Sequence, residues 1–459
     1  MSQTPDPGPG ERDRGDGRRG GSDGGPSVLE RLYVALIDDD EDHGRGELPD
    51  EVVDEVPGNA AKQVTALTLQ KAGDLVVDAK TVLAWLISAV GAPAGLTGLL
   101  VPIREAGSML PQVLLVPFVR RLAVRKWVWV AGAALQAGCV VAMAVIAATL
   151  TGVAAGAGIL AALAVFALAR SLSSIASKDV LGRTVPKGSR GQVNGYATVG
   201  AGVAAITVGV GIQVLGGDEV GAATIAWLLA GAGVAWVLAG GVFATIRETP
   251  GEHDRTASGE AVTGAVALLR TDAPFRRFVV ARTLLLTSAL TPPFVVSLSS
   301  EHAGAGLAGL GAFVISSGVA SLVGGRMWGR FADRSARRTM IAAAASSSAI
   351  VLGFLAVLRL EGAAEVAWLY PATYLLLALA HTGARIGRKT YVVDLAAGNR
   401  RTDYVAVSNT AMGVLLLATG VITSAVAALG VEAAILLLAV LGLAGVAVSR
   451  SLPEVSQTR

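Results

Sequence analysis

The chain has 459 residues, of which 53% are hydrophobic and only 16% charged, and its mean hydropathy is +0.58. Soluble domains carry about 25% charged residues, so this composition excludes an ordinary water-soluble globular protein. The pI near 9.1 does not indicate a nucleic-acid partner, because the net charge is only +3 and the basic residues stand in short clusters between apolar blocks.

The chain begins with a polar segment, residues 1–62, which is predicted to be a mostly disordered cytoplasmic tail. Its first 26 residues are mainly Gly, Asp, Arg and Pro, a composition typical of disorder. Ser27 and Glu30 have the spacing of a capping box before the apolar Leu32 and Leu36. This pattern predicts a short amphipathic helix near 27–37, although a tail with only local helicity fits it equally well.

Twelve apolar blocks follow, each about as long as a helix must be to cross the hydrocarbon core of a bilayer. Backbone polar groups have to be satisfied inside the bilayer, so these blocks are predicted to be helices. The predicted spans are 63–90, 95–119, 127–150, 153–178, 193–216, 221–246, 274–300, 306–329, 339–358, 365–389, 404–428 and 431–452.

The second half of the chain repeats the first at a shift of 211 or 212 residues. At this shift basic residues coincide in both loop regions: Lys178 with Lys389, Arg190 with Arg401, and Arg125-Lys126 with Arg337-Arg338. Repeated halves are typical of secondary transporters. The sequence therefore predicts an all-α integral membrane protein of twelve helices. Its two six-helix halves are 63–246 and 274–452, with a cytoplasmic loop at 247–273 and a tail at 453–459.

The charges of the loops predict the orientation. The regions after the second, fourth, eighth and tenth predicted spans are rich in Arg and Lys, whereas the opposite side has Arg359 and several acidic residues. Basic loops stay on the cytoplasmic side. We therefore expect a multi-pass protein of the cytoplasmic membrane with both termini in the cytoplasm.

One loop carries a family resemblance. Residues 329–338 read Gly-Arg-Phe-Ala-Asp-Arg-Ser-Ala-Arg-Arg, and they resemble the signature loop of the major facilitator superfamily. The matching positions are Gly329, Asp333, Arg334, Arg337 and Arg338, whereas Ala336 replaces the second glycine. The resemblance covers roughly residues 60–452 and implies the twelve-helix fold of bacterial permeases in that superfamily. It also implies a cytoplasmic gate, in which Asp333 and its arginines latch the outward-facing state.

The corresponding loop of the first half departs from this pattern. Pro117, Arg121 and Leu122 stand where Gly, Asp and Arg are expected, and only Arg125 and Lys126 are retained. The resemblance therefore leaves a latch in the first half in doubt.

Several ionisable residues lie inside the predicted spans, where each costs about 2.5–3.5 kcal/mol on insertion scales and so needs a reason. The candidate residues of a proton and substrate cavity are Asp74, Asp78, Arg104, Glu105, Arg170, Arg282 and His381. Asp74 is the candidate proton or cation site, Arg170 its charge partner or an anion contact, and His381 a titratable group of the other half.

Heights along the helices, at about 1.5 Å per residue, suggest which of these groups meet. They predict that Asp78 faces Arg104, that Glu105 pairs with Lys80, and that Asp74 approaches Arg170. The alternative is purely structural pairing. Lys71 and Asp74 would then pair on one helix, and Arg104-Glu105 would only tie the second helix to the first.

These observations predict a secondary active transporter that moves a small solute by alternating access, with protons or another ion as the coupling species. We expect a monomer in contact with membrane lipid, without a cofactor, a metal site or a catalytic constellation. The alternative is a non-transporting membrane sensor, scaffold or lipid-handling protein on the same fold.

Overall fold

The computed structural model describes residues 55–111, 115, 118–119, 121–186, 190–215, 222–250, 268–302, 307–395 and 401–455. The amphipathic helix predicted near 27–37 lies outside these residues. Within them the regular secondary structure is helical.

The helices fall into two groups along the chain, which we call the N half and the C half. The N half contains α1 (Val56–Val76), α2 (Val82–Ala89), α3 (Ala94–Met109), α4 (Lys126–Thr149), α5 (Gly152–Thr184), α6 (Arg190–Leu215) and α7 (Ala222–Ala244). The C half contains α8 (Ala273–Leu284), α9 (Thr287–His302), α10 (Leu307–Arg334), α11 (Ala336–Val357), α12 (Leu369–Leu395), α13 (Arg401–Ala427) and α14 (Val431–Arg450).

Nine helical spans in the described part of the chain are long and apolar enough to cross a membrane, and one of them, Ala273–His302, consists of α8 and α9 together. Large apolar side chains point away from the protein, among them Trp227, Trp368 and Leu429, which are 78%, 72% and 88% exposed. A surface of this kind is stable in lipid but not in water. The chain is therefore a multi-pass membrane protein.

Three predicted spans, 63–90, 95–119 and 365–389, are not among these nine helical spans. The first is divided between α1 and α2, the second forms the 16-residue α3, and the third carries Arg385, Arg388 and Lys389. The total of twelve crossings therefore stays a prediction.

The first predicted span differs from expectation in two ways. Helix α1 begins at Val56, before the predicted start at 63, and the chain leaves the helix between Val76 and Val82. At this break a carboxylate oxygen of Asp78 accepts hydrogen bonds from the backbone N–H of Lys80 (2.7 Å) and the hydroxyl of Thr81 (3.4 Å). Asp78 therefore closes a tight turn between α1 and α2, in which an Asp side chain accepts from the backbone two residues further on.

The first helix of the C half is also in two pieces, α8 and α9, which meet at Leu285-Leu286. Pro292 and Pro293 lie inside α9 rather than at the break. The hydroxyls of Thr287 and Ser288 instead donate to the carbonyls of Leu284 and Leu285 at the junction.

The two halves pack on each other mainly where α3 contacts α13 and α6 contacts α10, and α9 also contacts α2 and α3. Glycines allow the close approach, since a Cβ at Gly311 would lie 2.7 Å from the carbonyl oxygen of Gly209. At the α2–α9 contact the hydroxyls of Ser88 and Ser297 are 3.3 Å apart. In contrast, α1 packs on α5, α6 and α7 of its own half, and α8 packs on α12, α13 and α14.

We call the end of the bundle that carries Arg125, Lys126, Arg183, Arg337 and Arg338 the basic end. The α2–α9 contact lies at the opposite end, because α2 follows α1 away from the basic end. The halves are thus joined far from the basic end, whereas Arg385 and Lys389 on α12 are exposed nearer to it.

Candidate functional site

Asp74 on α1 forms ion pairs with arginines from two other helices. One of its carboxylate oxygens lies 3.0 Å from Nη2 of Arg104 on α3, and the other lies 2.7 Å from Nη2 of Arg170 on α5. The three side chains are mostly buried, with exposures of 15%, 16% and 28%. Charge-assisted hydrogen bonds of this kind are stronger than neutral ones. The carboxylate therefore ties α1, α3 and α5 together at membrane depth.

The guanidinium of Arg104 also contacts a backbone carbonyl and an aromatic ring. Its Nη1 donates to the carbonyl oxygen of Val77 at the α1–α2 break (3.2 Å), and its Cζ lies 5.0 Å from the ring centroid of Phe166 on α5. The predicted pairing of Arg104 with Asp78 is thus wrong. Because the chain leaves the helix after Val76, the carboxylate of Asp78 bonds to the backbone N–H of Lys80. Arg104 donates to Asp74 instead.

The structure also differs from the Glu105–Lys80 pairing predicted from helix height and from the structural alternative in which Lys71 pairs with Asp74. Glu105 and Lys80 form no ion pair in the described structure, although Glu105 interacts with Lys80 and Arg388 at longer range. The Nζ of Lys71 does not pair with Asp74 but donates to the hydroxyl of Thr198 on α6 (2.7 Å). Lys71 therefore fastens α1 to α6.

The C half has a contact equivalent to that of Lys71 with Thr198, but with an arginine as the donor. Arg282 on α8 is 8% exposed and donates to the hydroxyl of Ser408 and the side-chain oxygen of Asn409 on α13, both at 2.6 Å. Arg282 and Asn409 each stand 211 residues after Lys71 and Thr198. Equivalent cations therefore hold equivalent helices in the two halves.

His381 on α12 lies apart from the Asp74 ion pairs. Its Nδ1 is 3.1 Å from the hydroxyl of Ser288 at the start of α9. The surrounding charges that act on it are Lys80 from the N half and Arg385 and Arg388 from its own helix. The imidazole is therefore a polar group of the C half that faces cations from both halves.

The loop that resembles the facilitator signature lies at the basic end, between α10 and α11. Ser335 caps α11 by accepting a hydrogen bond from the N–H of Arg338 (3.1 Å), and Arg334 and Arg338 are exposed. Gly329 lies in the last turns of α10, where a Cβ would meet no atom within 4 Å. The side chain of Asp333 lies outside the described part of the structure.

Arg337 of the same loop contacts the segment after the last helix. Its Nε is 3.2 Å from a carboxylate oxygen of Glu454, its Nη1 donates to the carbonyl of Leu452 (3.0 Å), and the Ser335 hydroxyl donates to Glu454 (2.8 Å). The loop is therefore tied to the end of α14.

The N half also has a carboxylate after its last helix, Glu248, which contacts the start of α4. Its side chain is fully buried and accepts from the backbone N–H groups of Arg125 (2.9 Å) and Lys126 (2.7 Å) and from Arg183 (3.4 Å). Arg125 also pairs with Asp179 at 2.9 Å. Glu248 and Glu454 belong to no motif singled out in the sequence. They are 206 residues apart, so the repeat shift of 211 or 212 does not superimpose them.

We expect Glu248→Ala to lower the melting temperature of the detergent-solubilised protein more than Glu454→Ala does. The first change leaves backbone N–H groups at the start of α4 without their buried acceptor, at a cost of about 1–3 kcal/mol. The carboxylate of Glu454 is 37% exposed, so water can replace it. Thermal unfolding followed by tryptophan fluorescence measures both, and equal shifts would contradict the difference in burial.

The overall structure is similar to solved transporters. The xylose transporter XylE from E. coli in its inward-open conformation matches with a TM-score of 0.63 at 12% identity, over 87% of this chain and 97% of that one. A variant of the nucleoside transporter NupG matches with a TM-score of 0.67 at 10% identity, over 86% and 99%. A POT family transporter in complex with a thioalcohol-conjugated peptide matches with a TM-score of 0.64 at 11% identity, over 85% and 94%.

No protein-family model and no curated protein matches the sequence. The structural likeness at 10–12% identity establishes the fold, and the solutes in those names are properties of those proteins.

Proposed function

We propose that this chain, which has the major facilitator fold, is a secondary active transporter that moves a small solute by alternating access and couples it to protons. The observation that carries the proposal is the ion-pair group of Asp74, Arg104 and Arg170. Three ionisable side chains at membrane depth are costly, and in membrane proteins such residues mark solute and ion pathways. The transporters with similar structures support the same interpretation.

The proposed topology is twelve membrane crossings in two six-helix halves with the basic end in the cytoplasm. The positive-inside rule supports this orientation, which places both termini in the cytoplasm. The α2–α9 contact then closes the outer side, and the solute enters between α1, α5, α8 and α12 from the inner side. The gate residues proposed for the inner side are Gly329, Asp333, Arg334, Arg337 and Arg338.

The proposed coupling depends on competition at Asp74. A protonated carboxyl group no longer carries the charge that attracts a guanidinium, so a proton and Arg170 compete for the same oxygen. Proton binding would release Arg170, and return of the arginine would expel the proton. Asp78, Glu105, Arg282 and His381 complete the proposed charged cavity, with Arg282 holding α8 to α13.

Flux into proteoliposomes tests the transport function. We expect at least one solute from a panel of sugars, nucleosides, peptides and organic anions to accumulate when a pH gradient is imposed, and accumulation to stop when an ionophore removes that gradient. Protein-free liposomes serve as the control. If the reconstituted protein neither accumulates nor exchanges any solute of the panel, a non-transporting role on this fold replaces the proposal.

A further inference from the structure

Five cations converge on α12 between the halves. Lys389 interacts electrostatically with Lys178, Arg282, Arg385 and Arg388. We call these five residues the cationic cluster. Lys178 comes from α5 of the N half and the others from α8 and α12 of the C half, so the cluster spans the gap between the halves.

Part of the cluster lies too far from the helix ends to be explained by basic loops. Arg385 stands ten residues before the end of α12 at Leu395, which is about 15 Å of helix, and Arg282 stands about 14 Å from the start of α8. Arg282 and Arg388 are also only 8% and 7% exposed. The positive-inside rule favours basic residues in loops and at helix ends. It gives no reason to bury guanidinium groups inside the bundle.

The cluster has little compensating negative charge. None of its five members forms an ion pair in the described part of the chain, and Arg282 and Arg388 bond to hydroxyl, amide, carbonyl and sulfur atoms. Among the described carboxylates, Glu105 interacts electrostatically with one member of the cluster, Arg388. Asp74 does not neutralise the cluster, because the two oxygens of its carboxylate are paired with Arg104 and Arg170. Lys178, Arg385 and Lys389 are exposed, whereas the charges of Arg282 and Arg388 are buried, and buried positive charge is costly unless an anion joins it.

Cations of the two halves also face one another. Lys71 on α1 is repelled by Arg170 of its own half and by Arg385 across the gap, and it is attracted by Asp74. Nη1 of Arg170 is buried and has no hydrogen-bond partner in the described structure, whereas its Nη2 is bound to Asp74. Like charges repel when the halves approach. A negatively charged solute between Lys71, Arg170 and Arg385 would convert this repulsion into attraction.

We propose that the transported solute is a small organic anion whose carboxylate or phosphate oxygens bind Lys71 and Arg170 of the N half and Arg385 and Lys389 of the C half. The assignment rests on the proposed transport function and names its substrate class. Guanidinium groups suit both carboxylate and phosphate oxygens, because their paired N–H donors match two acceptors. Binding of the anion lets Lys71 and Arg385 approach, so the loaded carrier closes at the inner side more readily than the empty one.

Binding to the purified full-length protein tests the inference. The probes are succinate and glycerol 3-phosphate, each with a matched neutral molecule, succinamide and glycerol. We expect one or both anions to raise the melting temperature in a salt-sensitive manner and the neutral molecules to leave it unchanged. Succinate alone identifies a carboxylate solute, glycerol 3-phosphate alone identifies a phosphate ester, and either result supports the inference. If neither anion binds, or if a neutral partner binds as tightly, the inference fails.

Variants at Arg385 separate binding from folding. Arg385→Gln should weaken the anion Kd at least about tenfold, because it removes one partner of a desolvated charge pair, and Arg385→Lys should weaken it less. Arg385→Gln should also raise the melting temperature of the ligand-free protein, since it relieves repulsion within the cluster. A purely structural arginine would give the opposite shift. The matched control is Arg359→Gln, because Arg359 is an exposed arginine at the opposite end that pairs with Glu432. An unchanged anion Kd in Arg385→Gln overturns the inference.

Flux distinguishes this inference from the transport proposal. If a neutral solute moves under a pH gradient in both the wild type and Arg385→Gln, the protein is a transporter and the anion assignment is wrong. If anions bind in an Arg385-dependent way but never cross proteoliposome membranes, the site stands and the transport proposal is wrong.

Discussion

Asp74→Asn is expected to abolish accumulation of solute against its gradient in proteoliposomes while solute exchange continues. Asparagine has nearly the shape of aspartate and keeps one oxygen acceptor for an arginine, but it carries no charge and takes up no proton. The accumulation ratio under an imposed pH gradient should therefore fall from its wild-type value to about one, the value for a carrier without coupling. Counterflow of labelled solute at equal pH should remain.

The control for this experiment is Asp179→Asn. Asp179 also forms an ion pair in the N half, with Arg125 at 2.9 Å, but it lies near the basic end of α5 and away from the proposed cavity. We expect this variant to accumulate solute like the wild type. If Asp74→Asn also accumulates solute like the wild type, Asp74 is not the proton site. If counterflow is lost as well, Asp74 is required for the transport cycle itself.

The second large effect is expected for Gly311→Val at the crossing of α6 and α10. A Cβ on Gly311 would lie 2.7 Å from the carbonyl oxygen of Gly209 and 2.9 Å from the backbone nitrogen of Gln213. These are backbone atoms, so no rotation of a neighbouring side chain relieves the contact and the helices must separate. Overpacking of this kind costs about 1–3 kcal/mol. The change should lower the melting temperature and eliminate transport, because the two halves meet at this crossing.

Gly325→Val on the same helix provides the comparison. Nothing lies within 4 Å of a Cβ at Gly325, and the residue is exposed. Thermal unfolding and counterflow, measured side by side on the two variants, should show a loss only for Gly311→Val. Equal behaviour of the two variants would mean that close packing at the α6–α10 crossing is not needed.

The general architecture was predictable from the sequence. Long apolar blocks and a low charged fraction require a lipid-embedded helical protein, because backbone groups must be satisfied within each segment. The loop at Gly329–Arg338 and the repeat indicated the facilitator type, and the solved transporters with the same fold agree with that interpretation. The contacts of Lys71 with Thr198 and of Arg282 with Asn409 stand at positions that the predicted repeat relates.

The pairing of the buried charges was only partly predictable. Height along a helix follows from residue number, which brought Arg170 near Asp74, but the direction in which a side chain points depends on helix rotation and on breaks in the helix. The break after Val76 reassigned Arg104 from Asp78 to Asp74. The sequence likewise contained no sign of the roles of Glu248 and Glu454, which became apparent from their contacts with the starts of α4 and α11 in the structure.

The sequence by itself determined that this protein lies in a membrane, and it predicted two related halves with charged side chains at membrane depth. These properties follow from composition and from spacing along one chain. Only the tertiary structure decided which charges compensate one another, because that depends on distances between helices far apart in sequence. Asp74 is occupied by two arginines, and the cations around Arg385 and Lys389 are left with little negative charge. That imbalance, rather than any motif, is the basis for proposing an anionic solute.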